Sequence, residues 1–235
     1  IALVEGPPGI GKTRLSEVFA AGVERAGGLV LIGRSREGEG VPALWLWAQV
    51  LRRLAAIEAG ADALRELAGA APELRALLPA DWAEAPGAGA RAEPGEVAPE
   101  QGRFLLFDAI VRALARASRQ RPLLLVLEDL QWAGSASLRL LEHLAFEAGE
   151  LPILVLATVR EEARDDAHPL ERALPRLRQQ PSCQAIPLRG FSRREVAALL
   201  ERIIGRPPPP DLTSELFART EGVPLFLREA IRLLS

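Results

Sequence analysis

Short uninterrupted aliphatic runs alternate along this chain with longer stretches whose apolar residues recur at helical spacing. Ile1-Ala2-Leu3-Val4, Leu29-Val30-Leu31-Ile32, Leu123 to Leu127 and Leu151 to Val159 are the runs. Apolar runs of this length without polar alternation describe strands covered on both faces, the habit of parallel sheets. Gln184 to Leu188 reads as a shorter fifth strand. Arg14 to Ala26, with Leu15, Val18 and Phe19 on one face, reads as a helix ended by Gly27-Gly28. Strand, helix and strand at this spacing form a βαβ unit with a right-handed crossover.

Further helices follow. Val41 to Glu58 carries Leu44, Trp47, Val50, Leu51 and Leu54 at helical spacing, and Trp45 and Trp47 read as packing residues. Asp62 to about Leu78 is a second helical stretch, interrupted at Pro72. Arg103 to Ser118 offers Leu106, Ile110, Val111 and Leu114 to a core, and Ser135 to Phe146 is another helix. Pro79 to Gly102, rich in Ala, Gly, Pro and Glu, reads as a mobile loop. From Ser192 onward only helices are expected. Ser192 and Glu195 fit a capping box before a face of Val196, Leu199, Leu200 and Ile203. Pro207 to Pro210 is a rigid spacer, Asp211 or Thr213 caps a second helix, and Gly222-Val223-Pro224 precedes a third.

The chemistry sits at strand ends. Gly6-Pro7-Pro8-Gly9-Ile10-Gly11-Lys12-Thr13 matches the P-loop pattern G-x-x-x-x-G-K-[ST] at every fixed position, between a strand and a helix. Glycines let the backbone curl around an anion, and the following helix adds the positive end of its dipole. The loop and Arg14 are therefore the candidate phosphate-binding set, with Lys12 reaching the β- and γ-phosphates and Thr13 a ligand to Mg²⁺. The third strand ends in Glu128-Asp129, the Walker B arrangement, in which one acid holds Mg²⁺ and the other orients water. Thr13, Glu128 and Asp129 are thus the candidate metal ligands. The fourth strand ends at Thr158 and Arg160. Arg160 either senses the γ-phosphate or pairs with Glu161 or Glu162. In the loop Gly33 to Gly40, Arg34 or Arg36 faces the phosphates, or each is a solvated charge. His168 reads as a loop histidine.

These motifs give an α/β fold class: a three-layer P-loop NTPase with a five-stranded parallel sheet, followed by a small all-helical lid. The core spans 1–190, with a helical insertion and flexible loop at about 41–102, and the lid spans 191–235. Composition adds limits. Hydrophobic content of 49% and charged content of 26% suit a globular protein. A formal net charge of -2 leaves no overall footprint for nucleic acid, although a local basic face stays open. One cysteine, Cys183, forms no internal disulfide and reads as a structural thiol in a reducing compartment. No apolar run is long enough for a membrane span and no secretory signal is visible, so a cytoplasmic location is expected. With no Met and a start on a strand, the chain reads as a piece of a longer polypeptide.

Gly-Pro-Pro-Gly-Ile-Gly-Lys-Thr, Leu-Leu-Val-Leu-Glu-Asp-Leu-Gln-Trp-Ala, Ala-Thr-Val-Arg and Glu-Gly-Val-Pro-Leu-Phe occur in this order. Together they resemble the nucleotide-binding domain of STAND ATPases, the signal-transduction branch of the AAA+-like P-loop proteins. The Gly-rich loop before a Trp-rich helix is similar to that of large LuxR-type regulators and cyclase-associated regulators. The resemblance covers nearly the whole chain. It implies ADP in a closed resting state and ATP in an open, assembly-competent one. Carried over by motif, Lys12 and Thr13 bind phosphate and Mg²⁺, Asp129 orients water, Arg160 is the fourth-strand sensor, and Pro224 lies against the nucleotide from the lid. Two departures stand out. Glu128 replaces a commoner Asp, which makes hydrolysis less secure than binding, and the family's base-holding segment upstream of the first strand does not precede Ile1.

The function expected is an ATP-binding, slowly hydrolysing regulatory switch within a larger bacterial signalling or transcription regulator. The alternatives are a non-hydrolysing assembly module and an AAA+ ATPase acting on DNA, for which Arg228 and Arg232 offer a sensor arginine in the third lid helix. A small-molecule kinase lacks an acceptor motif. Expected cofactors are ATP or ADP with Mg²⁺. Expected partners are other domains of the same polypeptide and other copies of the chain in a nucleotide-dependent association, with no membrane and no evident direct contact to nucleic acid.

Overall fold

Five strands, each ending at the same edge, organise the computed structural model, which describes residues 1–38, 40–70, 74, 77–78, 99–147, 149, 151–161 and 167–234. They are β1 (Ala2–Gly6), β2 (Leu29–Arg34), β3 (Leu123–Glu128), β4 (Ile153–Arg160) and β5 (Gln184–Pro187). All pairings are parallel, in the order β2-β3-β4-β1-β5. The expected five-stranded parallel sheet is therefore present. β3 is buried at every residue, as its aliphatic run requires.

Strand alternation divides the core between the two faces. Leu3, Leu125, Leu127, Val155 and Ala157 join the larger cluster with α2 (Trp45–Ala55), α3 (Glu58–Ala70), α4 (Pro99–Gln120), α5 (Ser135–Glu147) and α6 (Pro169–Arg178). Val4, Leu124, Val126 and Leu156 face the other way, where Ala20 of α1 (Lys12–Arg25) covers them. Helices on both faces complete the three layers.

The inward face of α1 differs from the one its apolar spacing predicts. Lys12, Ser16 and Ala20 are buried, whereas Leu15, Val18 and Phe19 are exposed. The P-loop decides the rotation. Lys12 must start the helix facing the loop, and residues four apart share its face. Small Ser16 and Ala20 then meet the sheet, and Ser16 Oγ donates to Lys12 O at 3.1 Å.

Trp47 is fully buried and donates from Nε1 to the Ser137 carbonyl at 3.0 Å, so α2 is clamped to α5. Trp45 carries the Arg52 guanidinium over its ring at 5.5 Å. Both are packing residues, as expected. The expected loop from Pro79 lies outside the described residues as far as 98, and Pro99 to Gly102 already belong to α4. Helix α6 went unpredicted, though Leu170, Ala173, Leu174 and Leu177 give it a buried face at helical spacing. His168 is its N-cap rather than an idle loop residue: its Nδ1 accepts from Leu170 N at 3.2 Å. Cys183 packs partly against the larger core, and burial raises its thiol pKa.

After β5 come α7 (Arg193–Ile204), α8 (Pro210–Thr220) and α9 (Pro224–Leu234) around a separate small core of Val196, Leu200, Leu216 and Leu227. The capping box of Ser192 and Glu195 is present. Ile203, expected on the inner face, is exposed. Neither Asp211 nor Thr213 caps α8. Its N-cap is Pro209, and the Thr213 hydroxyl donates back to the Pro209 carbonyl at 3.4 Å. Among the described residues, no helix is long and apolar enough to cross a membrane.

The clamp between α2 and α5 can be measured directly. Trp47→Ala should lower unfolding free energy by about 3–5 kcal/mol, the usual cost of deleting a buried aromatic. Urea denaturation checks it, and a loss below about 1 kcal/mol would show that α2 contributes little to the core.

Candidate nucleotide site

The P-loop leaves β1 between β4 and β5 and curls through glycines that a side chain would strain. Gly9 has φ +77° and Gly11 φ +105°, and Gly11 is the N-cap of α1. The curl closes on Lys12, whose Nζ donates to the Gly6 carbonyl at 2.6 Å and the Pro7 carbonyl at 3.0 Å. Ile10 is buried and anchors the loop from below.

Above the loop is a cleft of about 440 Å³ lined by Pro8, Gly9, Gly11, Lys12, Thr13 and Arg14 of the loop and α1. Asp129, Arg160, Pro224, Leu225 and Arg228 complete the lining. The structure therefore brings Lys12, Thr13, Arg14, Asp129, Arg160 and Pro224 to one place from four elements. Arg14 is half turned away, pairing with Glu17 at 3.3 Å.

Asp129 sits in the left-handed region at φ 59°, a conformation that few side chains adopt without local support. That support is visible. Asp129 N donates to Thr158 Oγ1 at 3.0 Å, and Gln131 Nε2 donates to Asp129 Oδ1 at 2.9 Å. Gln131 Oε1 in turn accepts from Arg160 N at 3.2 Å, and Arg160 Nε lies 3.8 Å from Asp129 Oδ1. Buried Gln131 thus ties the ends of β3 and β4 together. Sequence reasoning passed over it. Its signal was a polar residue two positions after the acid in an otherwise apolar turn.

Glu128 goes elsewhere. Its carboxylate is buried and accepts from Arg34 Nε at 2.7 Å and from Arg34 Nη2 as well. The acid also raises the already high pKa of Arg34 through that hydrogen bond. Both residues line a second cavity, of about 320 Å³, beside Ser16, Gln49, Arg36 and Arg53. Neither Arg34 nor Arg36 lines the P-loop cleft: of the two readings left open, Arg36 is an exposed charge, and Arg34 fits neither because it is paired with Glu128. Arg34 is held by Glu128 because the two residues stand in register on β2 and β3.

The cleft fits a phosphate chain. Gly9 and Gly11 allow the backbone to approach an anion, while Lys12, Arg160 and Arg228 supply positive charge against Asp129. Among the described residues, no group of three or more His, Cys, Asp or Glu side chains could cage a metal. Mg²⁺ needs no such cage, since it keeps several waters and takes ligands from the phosphates with one or two protein oxygens. Thr13 and Asp129 are the oxygens that line the cleft.

A strand, a glycine curl, a lysine and an acid at the end of another parallel strand of the same sheet define a P-loop NTPase-like α/β protein. The chain belongs to the AAA ATPase domain family, whose model matches residues 1–156. Its fold is shared with the Signal Transduction ATPase with Numerous Domains (STAND) protein with a tetratricopeptide repeat sensor from Pyrococcus horikoshii. That match has a TM-score of 0.51 at 15% identity, covering 96% of this chain and 26% of that one. At that identity the likeness is one of fold. Weaker likenesses include Cdc6p from Pyrobaculum aerophilum, with a TM-score of 0.43 at 14% identity over 88% of this chain and 44% of that one. Another is the Aeropyrum pernix ORC1 protein in complex with DNA, with a TM-score of 0.41 at 17% identity over 96% and 51%. No curated protein matches the chain. The chain thus spans about a quarter of the STAND protein's length.

Arg34→Ala would leave the buried Glu128 carboxylate without its cation. Because Arg34 is itself half-exposed, the expected loss of stability is about 1–3 kcal/mol, below that for a fully buried pair. Thermal or urea unfolding checks this, and Arg34→Gln, which restores a donor, should recover part of it. A neutral Arg34→Ala would mean that water replaces the guanidinium without cost.

Proposed function

We propose that this chain is an ATP-dependent regulatory switch that hydrolyses ATP slowly with Mg²⁺, as one domain of a larger bacterial signalling or transcription regulator. The observation that carries this reading is Asp129. It is held at the P-loop cleft by Gln131 and Thr158, across from Lys12 and beside Arg160. A structure that fixes a carboxylate in a strained backbone conformation at a phosphate cleft suits water activation better than passive binding.

Bound Mg–ATP supplies the electrophilic γ-phosphorus and most of the charge neutralisation for in-line attack by water. The protein's part is positioning. Lys12 Nζ exchanges the Gly6 and Pro7 carbonyls for phosphate oxygens. The Thr13 hydroxyl and Asp129 carboxylate offer Mg²⁺ its protein oxygens, directly or through water. Asp129 accepts a hydrogen bond from the attacking water, and Arg160 balances charge building on the γ-phosphate. Pro224 and Leu225 at the start of α9 border the same cleft, so the helical block acts as a lid that reports nucleotide state. The regions of 1–190 and 191–235 then serve as catalytic core and lid. Slow turnover agrees with Glu128, which must leave Arg34 before it can add to the metal site.

That pairing of Glu128 also favours a second reading, a module that binds nucleotide for assembly without hydrolysing it. The AAA+ machine acting on DNA has only Arg228 in its support: it lines the cleft, but a helix arginine there serves a switch equally well. A sensor domain elsewhere in the polypeptide is the partner that the switch requires.

A single-turnover assay with γ-labelled ATP and Mg²⁺, following bound ATP and released phosphate together, separates the readings. Conversion of bound ATP to ADP and phosphate is expected. Lys12→Ala should weaken Mg–ATP binding or turnover by roughly 10²–10³, the scale for losing a preorganised charge at a reacting group. Asp129→Asn should slow conversion of bound ATP to ADP and phosphate by roughly 10²–10⁴. Bound ATP that stays intact in the wild type would establish the passive module, and unchanged behaviour of Lys12→Ala would refute the site.

A further inference from the structure

Two glycines far from the P-loop in sequence meet backbone to backbone beside it. The segment leaving β5 is fixed to the sheet, because Leu188 N donates to the Glu5 carbonyl at 2.7 Å. The Leu188 carbonyl also lies 3.0 Å from where a Cβ on Gly6 would be. Two residues later this segment crosses the turn between α8 and α9. Phe191 N donates to the Gly222 carbonyl at 2.8 Å. A Cβ on Gly222, whose φ is +75°, would fall 2.0 Å from the Phe191 carbonyl oxygen and 2.7 Å from its nitrogen. A Cβ on Gly190 would fall 2.4 Å from the Glu221 carbonyl oxygen. Every obstructing atom at these contacts is backbone, so no side-chain rotation can relieve them.

The turn passes this constraint straight to the P-loop. Thr220 Oγ1 accepts from Gly222 N at 3.3 Å, and Val223 N donates to the Thr220 carbonyl at 2.9 Å. Three residues beyond the crossing, Leu225 N donates to the Gly9 carbonyl at 3.2 Å. The Leu225 Cβ lies 2.8 Å from the position a Cβ on Gly9 would take. Gly9 is therefore bare for two reasons: its φ is +77°, and Leu225 occupies the space above it. The backbone runs from Leu188 against Gly6, through the crossing, to Leu225 against Gly9.

We infer that Gly190 and Gly222 are positioning residues for the nucleotide cleft: their backbone crossing sets where the start of α9 rests on the P-loop. This goes beyond the lid reading proposed above and rests on it only for the consequence in nucleotide affinity. The crossing joins the sheet-bound segment to α9 at residues that do not line the P-loop cleft. A side chain at Gly222 or Gly190 must push α9 away, because β5 is held to β1 on the other side. Leu225 then leaves Gly9, and Pro224 and Arg228 leave the cleft with it.

Hydrogen exchange read by mass spectrometry on the nucleotide-free chain, together with ATP binding, tests this in Gly222→Ala and Gly190→Ala. Exchange over 223–227 should accelerate on the order of tenfold or more while 123–128 in β3 keeps its wild-type rate. ATP affinity should fall about tenfold. Wild-type exchange over 223–227 overturns the inference, and so does faster exchange there with unchanged ATP affinity. If a glycine variant exchanges faster in β3 as well, Leu225→Ala decides, since it keeps the crossing and trims the side chain over Gly9 back to its Cβ. A loss of ATP affinity with β3 protected then supports the inference, and wild-type affinity overturns it. A wild type that binds no nucleotide refutes the proposed function instead, and exchange over 223–227 still judges the crossing.

Discussion

The carbonyl of Gly6 joins the sheet to the loop. It accepts from Lys12 Nζ at 2.6 Å and from Glu161 N at 3.2 Å, so one oxygen ties the end of β1 to the P-loop lysine and to the end of β4. A parallel sheet makes this geometry available, because neighbouring strands finish together and their following residues crowd one edge. Ligand-binding residues in open α/β sheets collect at that edge for the same reason. Lys12 is thereby held in the loop's concavity before any phosphate arrives. An anion entering the cleft has to compete with two backbone carbonyls for the ammonium, but finds it already desolvated and aimed.

The acidic pair at the end of β3 shows how one residue's offset changes chemistry. Glu128 is the last residue of the strand and follows its alternation, so its side chain goes to the α1 side and meets Arg34 across the β2–β3 register. Asp129 leaves the strand through the left-handed region, which turns its side chain to the P-loop side instead. Adjacent carboxylates therefore line different cavities. The separation also keeps two negative charges from sharing one small volume.

Much of this was legible in the sequence because the signals are local. The aliphatic runs announced the strands, the glycine–lysine pattern announced the loop, and Ser192 with Glu195 announced a helix start. What was not legible depends on contacts across the fold. The apolar spacing of Leu15, Val18 and Phe19 suggested an inward face, but the need to aim Lys12 rotated the helix and left them exposed. Arg34 looked free to meet phosphate until the β2–β3 register placed it against Glu128. Gln131 carries no motif of its own, and its value appears only when β3 and β4 are adjacent. Helix α6 has a proline, Pro175, inside it, and packing of its four apolar residues against the larger core overrides the cost of that helix breaker.

The overall charge of -2 conceals a local gathering of cations at the cleft. Lys12 and Arg14 begin α1, Arg160 ends β4 and Arg228 lies in α9, so the cations of the cleft belong to elements that are not consecutive in the chain. Among the described residues that line the cleft, Asp129 is the acid, while Arg14 also pairs with Glu17 and Arg228 with Glu229. Brought together without an anion, such charges repel and favour a looser arrangement. A polyphosphate reverses the sign of that interaction and draws the elements together, more strongly at low dielectric than in water. Under the proposed function, each phosphate gained or lost would change how firmly α9 is drawn to the sheet, and the contact of Leu225 with Gly9 and the crossing at Gly190 and Gly222 would guide that movement. Electrostatics sets the strength of the coupling, and backbone packing sets its geometry.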